Sequence, residues 1–178
     1  MVCNIFPKSY KQVPITCVLI LILVVVFLVY KYYDLKKPCD SDIKSIFLSN
    51  FVTIDIGQLI VVLYSLYSLS SFEMQVGSSV YLKMIMLSLM INSVLECMVH
   101  KYNSKIPCSL GFNGILMSLI IISLIMSKKI SKIVMSVIVI IGIYMTFSSN
   151  NGKYVGHIVG AITGLFLSLI YDRIINNK

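Results

Sequence analysis

What most limits the fold of this chain is a succession of apolar runs, each long enough to cross a bilayer and each closed by a polar segment. They occupy residues 14–30, 52–69, 80–99, 110–126, 130–147 and 155–171, so each holds 17 to 20 residues. At a helical rise of ~1.5 Å per residue, such runs just cross a hydrocarbon core. The chain is therefore expected to be an all-α polytopic membrane protein, a single bundle of six transmembrane helices over residues 1–178. Composition points the same way: 58% of the residues are hydrophobic and only 12% charged, where a soluble domain carries about 25% charged residues.

The formal net charge of +8 raises nucleic acid as a partner. The 15 Lys and Arg residues are scattered among the inter-run segments, however, and do not gather into a stripe. Anionic headgroups of the lipid bilayer are the expected counter-charge, and nucleic acid is not expected. The five cysteines, Cys3, Cys17, Cys39, Cys97 and Cys108, show neither a CxxC pair nor His-Cys ligand spacing. No metal and no cofactor is expected. Cys39 and Cys108 fall towards the same face and would be able to bridge were that face oxidising.

Taken in order, the first run follows Lys8 and Lys11 and ends at Lys31-Tyr32-Tyr33-Asp34. It is longer than a signal-peptide core and lacks a small-x-small cleavage site, so it is expected to be a retained helix anchored by interfacial tyrosines. Residues 31–50 form the longest polar loop, in which 43–48 are expected to lie along the interface as a short amphipathic piece. The second run carries Asp55, Gly57 and Gln58 near its start and Tyr64-Ser65-Leu66-Tyr67-Ser68 near its end. Such polarity suits a helix surrounded by other helices. Glu73 to Ser79 reads as a turn. In the third run Lys83 is placed to snorkel, and Asn92 and Glu96, four apart, share a face for inter-helix hydrogen bonds, with a proton relay as the alternative. Basic residues divide evenly between the two faces once Lys83 is set aside, so the positive-inside rule chooses no orientation.

Six alternating spans start the second, fourth and sixth on the same face. Gln58, Asn113 and His157 lie in the opening turns of those three helices and are expected at a similar depth below it. Polar groups inside a membrane are costly, and therefore point to function. His157, Gly160 and Gly164 are spaced i, i+3, i+7, and Gly111 and Gly114 open the fourth run, which favours a close crossing of the fourth and sixth helices. The helix N-termini add unpaired N–H groups suited to an oxyanion or carbonyl oxygen. Spacing alone leaves two readings open, a site or plain packing with Asn113 as a helix cap.

Three stretches resemble the rhomboid family of intramembrane serine proteases. Gly156-His157-Ile158-Val159-Gly160-Ala161-Ile162-Thr163-Gly164 is similar to the family's catalytic histidine followed by glycines in the last helix. Glu73-Met74-Gln75-Val76-Gly77-Ser78 resembles its glutamate-xxx-Gly-Ser turn, and Gly111-Phe112-Asn113-Gly114 resembles the Gly-x-Ser-Gly that opens the fourth helix. The resemblance implies a six-helix core with His157 as base and Asn113 at the nucleophile position. It implies an oxyanion side where Gln58 replaces a histidine and Val62 an asparagine, and Met117 stands where some members stack a tyrosine.

An amide is not a useful nucleophile, because its nitrogen lone pair is delocalised; serine serves because histidine takes its proton. Several departures together point to a pseudoprotease that binds transmembrane segments of client membrane proteins. Two alternatives stand beside it: an active intramembrane serine endopeptidase with a displaced nucleophile, for which Cys108, Ser109 and Ser118 are candidates, and an unrelated six-span transporter or channel subunit.

Overall fold

The computed structural model of the chain describes residues 12–33, 35, 42–53, 55–102, 110–126 and 154–176. Among these residues the fold is entirely helical: α1 Pro14–Tyr33, α2 Ile43–Ser49, α3 Ile56–Val76, α4 Ser78–Tyr102, α5 Asn113–Met126 and α6 Tyr154–Asn176. The helices α1, α3 and α4 are long and apolar enough to cross a membrane, and Asn113–Met126 and Val155–Tyr171 are shorter apolar helices. The apolar run 130–147 lies outside the described residues, as do Cys39 and Cys108. Cys17 and Cys97 are buried thiols rather than disulfides.

The helix ends explain themselves locally. Pro14 opens α1, where its missing N–H costs nothing. Asp55 caps α3 by accepting a hydrogen bond from Gly57 N at 2.9 Å. Helix α3 does not stop at 69, as the polar residues after it suggested, but continues to Val76. Ser65, Ser68 and Ser70 fold their hydroxyls back onto the carbonyls of Val61, Tyr64 and Tyr67 at 2.7, 3.0 and 2.6 Å. They are thereby satisfied inside the helix and do not end it. The expected turn over 73–79 shrinks to Gly77, at φ 86°, after which Ser78 begins α4.

That junction fixes α1. The Glu73 carboxylate is fully buried and accepts four hydrogen bonds: from Ile15 N at 3.0 Å, Thr16 N at 2.9 Å, Thr16 Oγ1 at 2.6 Å and Ser78 Oγ at 2.7 Å. A carboxylate at a helix N-terminus meets both the orphan N–H groups and the positive end of the dipole. One side chain at the end of α3 thus holds the starts of α1 and α4 together at one end of the bundle.

Leu23, Val62, Leu66, Leu69, Phe72, Ile115, Leu119 and Ile122 pack inside the bundle. Outside, large apolar side chains such as Leu21, Leu28, Ile60, Met90 and Leu169 stand exposed. Water would penalise so wide an apolar exterior, whereas lipid does not. The short helix α2 does more than lie on an interface: its Ile46 and Ser49 are buried, it packs along α4, and the following Asn50 donates from Nδ2 to Ser93 Oγ at 3.3 Å.

Candidate functional site

Among the described residues, helices α5 and α6 make the most extensive contact, and glycine is the reason. A methyl group at Gly160 would run into the carbonyl oxygen of Gly114 and lie 2.9 Å from its C and Cα atoms. One at Gly164 would lie 2.7 Å from Ser118 O, and one at Gly114 3.0 Å from Gly156 O. Backbone therefore meets backbone along the seam, as small residues permit between membrane helices.

The seam sets the level of two candidate residues. Gly114 touches Gly156 and Gly160, the residues that bracket His157 on α6, and Asn113 immediately precedes Gly114 on α5. Asn113 is 8% exposed and His157 half-buried. The first turns of α5 and α6, which carry the amide and the imidazole, thus lie at one level of the bundle.

Gln58 joins them from α3. Its Nε2 donates to Leu110 O at 3.1 Å, one residue before Gly111. Gly111 adopts φ 97° and donates from its N–H to Ser49 O at 2.9 Å. A side chain there would be strained by that φ and would also meet Gln58 Nε2 at 2.6 Å. The starts of α3 and α5 are therefore latched together through the turn before Asn113. That latch takes one of the two N–H donors of the Gln58 amide. Val62, one turn along α3, is buried among apolar side chains and offers no hydrogen-bonding group. Met117 is half-buried.

Sequence reasoning weighed Ser118 only as a displaced nucleophile. In the structure it is fully buried and ties three helices. Its hydroxyl lies 2.9 Å from Gly160 O on α6 and 3.0 Å from Gly114 O, and it accepts from Asn92 Nδ2 of α4 at 3.1 Å. The signal was present, since Ser118 stands four residues after Gly114 and so shares its face. Cys108 and Ser109 lie outside the described residues.

Asn92 makes the inter-helix bond expected of it, whereas Glu96 does not. Glu96 is buried, and its Oε1 has no hydrogen-bond partner. Glu73, Gly77 and Ser78 belong to the opposite end of the bundle with the start of α1, away from Asn113 and His157.

Chemically the neighbourhood of Asn113 and His157 offers a potential base, an amide that both donates and accepts, and the opening N–H groups of two helices. A protease of this design needs a hydroxyl or thiol beside the imidazole. Among the described residues the first hydroxyl along α5, that of Ser118, is committed to packing. In comparisons with known proteins, the family model described as the Rhomboid domain matches residues 40–173. No curated protein matches the chain.

Proposed function

The chain belongs to the rhomboid family, and from that premise we propose that it is a catalytically degenerate member, an integral membrane protein that binds transmembrane segments of client proteins without cleaving them. The observation that carries this reading is the state of α5: an amide, Asn113, at the position where the family places its serine, and a fully buried Ser118 whose hydroxyl is spent on the α5–α6 seam. The position from which the family's serine meets its histidine thus carries an amide, and loss of one member of a nucleophile–base unit removes most of the rate. The oxyanion side supports the same reading, since Gln58 is held by Leu110 O and Val62 contributes no donor.

What remains is suited to binding. A transmembrane segment that unwinds locally exposes N–H and C=O groups that have few partners in the bilayer. Asn113 and His157 offer both kinds of hydrogen bond to such a segment.

The test is to reconstitute the protein with a fluorescent single-span peptide that has a helix-breaking centre, and to follow retention and peptide mass together. Retained, intact peptide is the expected result. Peptide fragments that disappear in His157→Ala would establish the active-protease alternative, and absence of retention would remove the client-binding reading.

A further inference from the structure

The chain has two glutamates, Glu73 and Glu96, and the bundle buries both in opposite surroundings. Glu73 sits among donors and accepts four hydrogen bonds, as an ionised carboxylate requires. Glu96 is 4% exposed, and its Oε1 has no hydrogen-bond partner. What surrounds it is acceptors: a methyl group placed on Gly114 would lie 3.5 Å from Glu96 Oε1, 3.2 Å from Asn92 Oδ1 and 3.0 Å from Gly156 O. Asn92 Oδ1 is also buried without a partner, while Asn92 Nδ2 donates to Ser88 O at 2.7 Å and to Ser118 Oγ at 3.1 Å.

Of the helices packed against α4, α5 has no titratable side chain, and Lys44 of α2, Asp55 at the start of α3 and Lys31 of α1 are exposed, as is Lys101 on α4 itself. Two imidazoles remain. His157 of α6 follows Gly156 and is half-buried. His100 lies one turn beyond Glu96 on the same face of α4, and its buried Nε2 has no hydrogen-bond partner. One proton can therefore rest on Glu96 or on His100. On His100 it would leave a carboxylate facing Asn92 Oδ1 and Gly156 O, with no donor to offset the buried charge. On Glu96 it supplies the hydrogen the cluster lacks: the carboxylic acid donates to one of those oxygens, and both residues stay uncharged among apolar helices.

We infer that Glu96 is a proton-binding site built into the contact of α4 with α5 and α6: it holds its proton at neutral pH, donates it to Asn92 Oδ1 or Gly156 O, and gives up that tie when the proton is withdrawn. The inference does not depend on client binding. The tie adjoins Gly114, on the seam that sets the level of Asn113 and His157, so pH acts on the packing beneath those two residues. The direction follows from where the proton is held. The native chain keeps it at a pH at which the carboxyl of the unfolded chain has lost it, so this contribution to folding is greatest in acid. It shrinks by up to about tenfold in the folding equilibrium per pH unit, until the native carboxyl ionises as well.

The test is carbon-13 NMR of the chain in detergent micelles, labelled at the side-chain carboxyl carbon of glutamate, so that only two signals arise. At about pH 6, above the ordinary carboxylate range, the wild-type chain is expected to show one carboxylate and one carboxylic acid. Glu96→Gln should remove the acid signal and Glu73→Gln the carboxylate. Two carboxylates in the wild-type spectrum, a result that needs no variant, would overturn the inference; so would an acid signal that survives in Glu96→Gln. Reversible unfolding in detergent–SDS micelles over the same pH range supplies the second readout. Relative to Glu96→Gln, which keeps a neutral group with a donor, the wild-type chain should lose up to about tenfold in its folding equilibrium per pH unit. Parallel pH profiles for the two chains would also overturn the inference.

Discussion

Alanine at Gly160 forces α5 and α6 apart, and the structure sets the scale. The added Cβ would lie 2.9 Å from both C and Cα of Gly114, whereas carbon atoms rest at about 3.5–4.0 Å. These are backbone atoms, so no rotamer change relieves the overlap, and the helices must part by about 0.6 Å or more. The same displacement stretches the Ser118 Oγ to Gly160 O hydrogen bond from 2.9 Å to about 3.5 Å, beyond useful length. Overpacking costs about 1–3 kcal/mol and the lost hydrogen bond about 1 kcal/mol. Gly160→Ala is therefore expected to destabilise the bundle by about 2–4 kcal/mol. Reversible unfolding in mixed detergent–SDS micelles, followed by circular dichroism, measures this. Ile158→Ala, two residues away on the opposite, exposed face, serves as the control and should cost under about 0.5 kcal/mol. A Gly160→Ala penalty no larger than that of the control would refute the backbone-to-backbone crossing.

Other substitutions probe the remaining ties. Ser118→Ala removes the acceptor for Asn92 and the bond to Gly160, and should lower stability by about 1–3 kcal/mol in the same unfolding assay; an unchanged stability would show that the hydroxyl does not clamp the seam. Glu73→Gln replaces a four-fold acceptor with a group that turns an NH2 towards donors, so a loss of about 3 kcal/mol is expected. In that variant limited proteolysis should cut first near the start of α1; unaltered protection there would separate Glu73 from the docking of that helix. Gly77→Ala meets no atom within 4 Å but must adopt φ 86°, so it should cost only about 1–2 kcal/mol. A penalty as large as that of Gly160→Ala would mean that the junction between α3 and α4 is more crowded than the structure shows.

Much of the bundle could be read from residue order because membrane helices announce themselves by long apolar runs, and glycine spacing announces where two of them can touch. The limits of α3 were harder to read. Serines and a glutamate between 65 and 73 look like the exit to a turn, and only the structure shows the hydroxyls bonded to their own helix and Glu73 bonded to α1. Partnerships across the chain are similarly hidden: Ser118 meeting Gly160 is a contact over 42 residues, and Glu73 meeting Thr16 one over 57. Asn92 and Glu96 illustrate the same limit. Their four-residue spacing puts them on one face, but which of them finds a partner depends on what α5 presents there, and Ser118 is in reach of Asn92 alone. Replacement of a serine by Asn113 was visible at once, since it needs only a motif; that Ser118 is spent elsewhere needed coordinates.

The central claim, that Asn113 at the nucleophile position leaves the chain without proteolytic chemistry, is tested most directly by a fluorescent fluorophosphonate probe, which labels only a hydroxyl activated by a neighbouring base. The wild-type protein in nanodiscs is expected to remain unlabelled, and Asn113→Ser to gain little labelling, since the oxyanion side retains Gln58 and Val62. Labelling of the wild-type chain that disappears in His157→Ala would contradict the account.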